Sequence, residues 1–336
     1  MLARVSAGFC SVCGAVLRDG VCPHGHPQRA VRRRARQRRG RFRRAIAWLI
    51  LIVVLGGSAY ATLVWYPQRA ASDVMRPSSE DFALALDAYR STVSLFPPGA
   101  TDPQVLLVQS NQVLEAAGDT REDLGRASAR LEQREPVSWP VISDRPPLRQ
   151  ARATHQDMLA FSTSARETVA SVEAIAGYLT RVAGVLPQLD NLEQTLAPAA
   201  GGEVDQAVAA STPIADQVLA DIQAVIAPEE LGGLHASLLA IAQRIREDLD
   251  EIARAGQRGS QPVITGLVRD VRREVGSFRE TLGGAPQEAG EGGLADRRAE
   301  VDRLAAEAVS GLQALRDGYG ITGLLIPELA QPMTGV

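Results

Sequence analysis

The stretch LHASLLAIAQRIREDLDEI, residues 234–252, decides how most of this chain folds. Among its large apolar residues, Leu234, Leu238, Ile241, Ile245, Leu249 and Ile252 are separated by steps of 4, 3, 4, 4 and 3. An α-helix turns once every 3.6 residues, so these steps keep all six side chains on one face, and the carboxylates Glu247, Asp248, Asp250 and Glu251 interleaved with them read as a solvated face. The next stretch repeats the pattern, with Ile264, Leu267 or Val268, Val271, Val275, Phe278 and Leu282 recurring at steps of 3 or 4. No run with the period of two that marks a half-buried strand competes with these stripes. The expected fold class is therefore all-α, an elongated bundle of six to eight helices over residues 78–320.

Caps and breakers set the helix boundaries. Thr101-Asp102-Pro103-Gln104 places a cap residue, a proline at the first helical position and a glutamine three residues after the cap, which predicts a helix from about Pro103 to Arg134. Glu135–Pro147 holds four prolines and cannot continue it. A second long helix is expected from Leu148 to about Leu186, with Pro187 kinking or restarting it towards Leu196. Shorter helices are expected at 79–95, 204–226, 229–255, 261–282 and 294–317. The breaks fall at Phe96–Gly99, Pro198–Gly202, Ala227-Pro228, Gly256–Gly259 and Gly283–Gly293. The last of these reads as a flexible loop, and Glu288 and Glu291 without a basic residue make it no phosphate cradle. Residues 67–77 read as a linker. Residues 321–336 read as a tail, too short and too interrupted by Pro327 and Pro332 for a membrane span. With only 4% aromatic residues and much of its apolar content in alanine, the core is thin, so a partner or second copy is expected to complete it.

Ahead of the bundle, the 22 residues Ala45–Tyr66 carry no charge. At about 1.5 Å per residue they make roughly 33 Å of helix, enough to cross a hydrocarbon core of about 30 Å. Trp48, Tyr60, Trp65 and Tyr66 lie towards the ends, where amphipathic rings prefer the headgroup region. Residues 45–66 are therefore expected to form a single transmembrane helix. The segment 29–44 before it holds ten arginines and no acid, which predicts a cytoplasmic N-terminus and an extracytoplasmic C-terminal domain. Charge divides accordingly: residues 1–44 carry 12 Arg and one acid, net +11, and the remainder 24 Arg and 38 acids, net −14. All basic residues are arginine, which points to a GC-rich bacterial coding bias. A cleaved signal peptide is the rival reading, since Ala59-Tyr60-Ala61 has the small-x-small form of a cleavage site. The apolar stretch continues past that site to Tyr66, which favours a permanent anchor. Gly57 with Ala61 and Ser58 with Thr62 place small residues on one helix face, so a homodimer through the span is a further expectation.

All three cysteines lie within thirteen residues, Cys10, Cys13 and Cys22, followed by His24 and His26. An odd count facing a reducing compartment argues against disulfides. Cys-x2-Cys followed by Cys and His supplies four ligands for a tetrahedral Zn²⁺. Cys10, Cys13 and Cys22 are assigned as three of them; the fourth is His26 or His24, with His26 preferred because Cys22-x3-His26 leaves the chain slack to wrap. Val16, Leu17 and Val21 are expected to give the hairpin its apolar cover. Residues 9–26 resemble the short zinc ribbons at the N-termini of many bacterial membrane proteins, which read Cys-x2-Cys-Gly, a hairpin, then Cys-Pro-x-Cys-Gly. Gly25 stands where that pattern has its last cysteine. The resemblance implies a small structural zinc head over residues 1–28 and implies no activity.

The arginine segment Arg29–Arg44 is read as a topogenic signal that attracts anionic lipid headgroups, at about 1 kcal/mol per charge near the surface. A nucleic-acid arm is the lesser reading, because the run abuts the span and offers only Phe42 for stacking. Docking of an acidic protein is a third.

Outside the N-terminal cluster the chain has two histidines, His155 and His235, each alone on an expected helix and without the Glu-x-x-His pattern of di-iron sites. There is no Gly-x-Ser-x-Gly elbow and no glycine-rich loop after a strand. These features point away from an enzyme. They favour a non-enzymatic single-pass membrane protein linking a cytoplasmic zinc ribbon to a helical sensing or protein-interaction domain, its partner an unidentified envelope protein. An envelope scaffold or assembly factor, with the helical rod as spacer, is the alternative. A cell-wall hydrolase has the least support.

Overall fold

The computed structural model describes residues 8–10, 12–18, 21–26, 29–96, 103–134, 144–291 and 293–328. The chain forms two compact units, Met1–Tyr66 and Pro67–Val336. In the first unit, isolated antiparallel bridges join Phe9 to Val16 and Arg18 to Val21. Helix α1, Arg29–Tyr60, passes into a π-helical stretch, Ala61–Trp65. Every residue from Ala45 to Tyr60 is exposed. The hydroxyls in this stretch are turned inward: Ser58 Oγ donates to the Leu55 carbonyl at 3.0 Å and Thr62 Oγ1 to the Ser58 carbonyl at 2.9 Å. The helix surface is therefore apolar despite these two residues.

The second unit is all-α. Its helices are α2 (Tyr66–Ser94), α3 (Pro103–Gln133), α4 (Pro146–Ala183), α5 (Leu186–Leu196), α6 (Val204–Ala224), α7 (Gly232–Gln257), α8 (Gln261–Glu291) and α9 (Gly293–Tyr319). They enclose two apolar cores. In the first, Met75, Phe82 and Leu86 of α2 meet Leu124 and Leu131 of α3, Met158 and Phe161 of α4, and Leu312 and Leu315 of α9. Phe161 centres it, with the rings of Phe82 and Tyr89 edge-on at 5.1 and 6.1 Å. The second core joins the C-terminal half of α4, from Val172 to Val182, to α5, α6, α7 and α8. Helix α4 runs through both cores, and its 38 residues span about 57 Å. Both stripes read from the sequence lie inside the second core: Leu234 through Ile252 and Ile264 through Leu282 are buried, and Val268 rather than Leu267 takes the shared position.

Three segments differ from the sequence reading. Residues 67–77, read as a linker, are the opening turns of α2, because Ala71 and Met75 continue the stripe of Ser78, Phe82 and Ala85 into the first core. Pro77 is accommodated inside that helix. Gly283–Gly293, read as a loop, is largely helical, since α8 runs to Glu291. Each helical glycine costs about 1 kcal/mol against alanine. Leu282 and Ala285 are nevertheless fully buried, and their packing carries the helix through. Finally, residues 321–328 of the tail run alongside α2. Arg76 donates to the Thr322 carbonyl at 2.7 Å, the Leu325 amide donates to Ser79 Oγ at 3.0 Å and Arg90 donates to the Glu328 carbonyl at 2.9 Å. Ile321 is buried in the first core. Residues 329–336, and most of the proline-rich stretch 135–147, lie outside the described residues.

Candidate metal centre

Two tight turns bring the N-terminal ligands together. In the first, the Cys10 amide donates to the Ala15 carbonyl and the Gly14 amide to the Cys10 carbonyl, both at 2.8 Å. Gly14 has φ +71°, a left-handed conformation that a side chain would strain. In the second, the Gly25 amide donates to the Cys22 carbonyl at 3.0 Å, and Gly25 has φ +75°. Gly25 thus does at the second turn what Gly14 does at the first, one residue earlier relative to its leading cysteine. The ligand moves one residue on, to His26, whose longer side chain reaches back.

Cys10 Sγ, Cys13 Sγ, Cys22 Sγ and a His26 ring nitrogen all lie within 4.8 Å of one another. The separations are 3.4 Å from Cys13 to Cys22, 3.6 Å from Cys22 to His26 Nδ1 and 4.0 Å from Cys10 to His26 Nδ1. A metal with bonds of about 2.3 Å to sulfur and about 2.1 Å to nitrogen separates tetrahedral ligands by about 3.6–3.8 Å. The quartet therefore has the dimensions of a four-coordinate site and could hold a metal ion. His24 is exposed in the second turn and stands outside the group.

Local electrostatics differ among the sulfurs. Backbone amides of Val12 and then Cys13 donate to Cys10, whose thiol is pulled down from 9.0 to about 6. At Cys13 the Ala15 amide works in the same direction. There the neighbouring Cys22 sulfur, desolvation and Cys10 together outweigh it, and the thiol sits above its usual value. Cys10 and Cys22 are buried while Cys13 is exposed. Of the three residues expected to cover the hairpin, Leu17 is half-buried while Val16 and Val21 are exposed, and the two cysteines are what the turns bury.

The other histidines serve packing. His155 is buried with Nε2 2.9 Å from the Leu131 carbonyl, tying α4 to α3. His235 Nδ1 lies 3.3 Å from the Tyr178 hydroxyl, with the rings edge to face at 5.9 Å. Sequence reasoning missed Asp81, a buried carboxylate on α2 that pairs with Arg130 at 3.0 Å and with Arg134. Its signal was an acid beside Phe82 on the core side of a helix, matched by two arginines four residues apart, Arg130 on α3 and Arg134 just past its end. A groove of about 590 Å³ beside this ion pair is lined by Ala88, Ser91, Ala116, Asp119 and Asp123 among others, and by no histidine or cysteine. Among the described residues, two helical stretches are long and apolar enough to cross a membrane, Ala45–Ser94 and Pro146–Gly201. The apolar window of the first is 0% buried, whereas that of the second is 56% buried, as befits a helix that runs through both cores. No family model, no curated protein and no solved structure matches this chain.

Proposed function

We propose that this is a non-enzymatic, single-pass protein of a bacterial cell membrane. Residues 45–66 are its anchor, the N-terminal head binds zinc in the cytoplasm, and the helical domain outside receives a protein partner or a signal. The observation that carries the reading is the uncharged stretch Ala45–Tyr66. In a chain whose other helices hide their apolar faces, residues 45–60 leave theirs wholly exposed. A helix apolar on every side needs either a protein core or lipid around it. The arginines of 29–44 orient it.

The choice of zinc follows from the donors. Three thiolates and one imidazole in a closed tetrahedron suit Zn²⁺, which has no redox chemistry and no directional preference of its own. Some twenty residues around the ion offer no shaped pocket, so the metal is structural and replaces the core that the head lacks. The interaction role of the outer domain draws support from its make-up, two apolar cores pinned by ion pairs, with its histidines spent on packing. Alkaline phosphatase, which folds only in an oxidising compartment, reads the topology. Fused after Val336 it should be active and fused before Met1 inactive; activity at the N-terminus instead would sink the reading.

A further inference from the structure

The geometry points to the metal head as a lipid-binding module that lays one face on an anionic membrane surface; this rests on residues 45–66 being the membrane anchor. Residues directly opposite in an antiparallel pair project to the same side, and neighbours along a strand project to opposite sides. The bridges Phe9 to Val16 and Arg18 to Val21 therefore gather Phe9, Val16, Arg18 and Val21 on one face of the hairpin. Cys10 and Cys22, each next in sequence to one of these residues, turn the other way, towards the metal quartet, and are 3% exposed. The head thus has a metal face and an apolar face.

The apolar face is uncovered. Phe9 is 67% exposed, Val16 51% and Val21 67%, and Val12 at the first turn is 68% exposed. These are large values for apolar side chains in so small a module, which buries little besides its two cysteines. Three observations choose lipid as the occupant. Arg18 sits among the apolar residues, where its stem can lie along them and its guanidinium can reach a phosphate. Ten further arginines follow at 29–44, so the positive charge continues from the face towards the span. Only residues 27–44 separate the head from the uncharged stretch, and residues 29–44, the first sixteen of α1, rise about 24 Å. The head therefore stays within a few nanometres of the bilayer, whereas a soluble partner would have to be recruited. A second copy is disfavoured, because a two-fold contact through this face would bring two arginines and no acid of the face into one interface.

The test uses the zinc-loaded full chain in nanodiscs of phosphatidylcholine and phosphatidylglycerol, with Phe9 replaced by 4-trifluoromethylphenylalanine as a single fluorine reporter. Lipid spin-labelled high on its acyl chain should broaden the Phe9 signal several-fold, and a water-soluble gadolinium chelate should leave it sharp. Discs of phosphatidylcholine alone, or the pair Val16→Asp and Val21→Asp with unchanged zinc content, should reverse that pattern. The same reporter at Trp48 separates the two readings. If Trp48 is not broadened by the labelled lipid, the anchor itself is wrong. If Trp48 is broadened while Phe9 responds only to the chelate, the face is free in water and this inference falls. Shielding of Phe9 from both agents would mean that protein covers the face, and would overturn it as well.

Discussion

Gly311 is where α9 comes closest to α4, and replacing it by alanine should reverse the usual effect of that substitution. In an exposed helix interior, Gly→Ala stabilises by about 1 kcal/mol. At Gly311 a Cβ would stand 2.2 Å from Thr154 Oγ1, 2.9 Å from its Cγ2 and 3.0 Å from its Cβ. Thr154 is fully buried, and turning about χ1 only exchanges one crowding atom for the other. Helices α4 and α9 must then separate locally, at an overpacking cost of about 1–3 kcal/mol, to whose upper end so short a contact belongs. Set against the helix gain, Gly311→Ala should destabilise by about 2 kcal/mol, which for a domain of this size lowers Tm by about 4–8 °C. The controls lie on α3: Gly118 and Gly125 have nothing within 4 Å of a built Cβ, so alanine there should raise Tm by a few degrees. Adding Thr154→Ala removes the two nearest atoms and should recover part of the loss. Thermal unfolding of the detergent-solubilised chain by circular dichroism reads all four variants. A Gly311→Ala protein melting at or above the parent, or an unchanged loss in the Thr154→Ala background, would refute the close packing of α4 on α9.

Other consequences concern charge and metal. Asp248 has its carboxyl pushed up by burial and by the facing Asp270 and Glu274, together with Glu251 and Glu247. A raised carboxylate pKa stabilises the fold at low pH and costs stability as the group ionises. Asp248→Asn should therefore raise Tm at neutral pH, and the gain should vanish below the ordinary aspartate value of 3.8. A gain that persists in acid would show that charge is not its cause. At the head, His26→Ala should abolish tight binding of Co²⁺, followed by its thiolate-to-metal absorption, while His24→Ala should leave it intact. The opposite result would move the fourth ligand to His24.

How much was legible in the sequence depended on whether the deciding neighbour was near in the chain. The stripes of α7 and α8 could be read because their large residues recur at steps of 3 and 4 on single helices, and burial follows that pattern residue by residue. The metal quartet could be proposed because donor type and spacing carry the chemistry locally, and the slack of Cys22-x3-His26 already favoured His26 over His24. Residues 67–77 misled because Pro67 and Pro77 look like breakers, while Ala71 and Met75, the positions that earn the helix, are too few for a visible stripe. Gly283–Gly293 misled because glycine content speaks for a loop and the burial of Leu282 and Ala285 is decided by other helices. The close approach at Gly311 depends on Thr154, far away in sequence, and has no local signature. The exposed face of the head was misjudged for a related reason: Val16 and Val21 are apolar, and only the bridge pairing tells which side they take.

The central claim, a zinc head held inside the cell by one span, can be tested in a single measurement. Cells stripped of their wall are treated with protease, and the protected membrane fragment is weighed by native mass spectrometry. The account predicts a fragment that begins at the N-terminus, ends just beyond residue 66 and carries one zinc ion. A protected helical domain, a fragment beginning at Thr62, or the expected fragment without metal would contradict it.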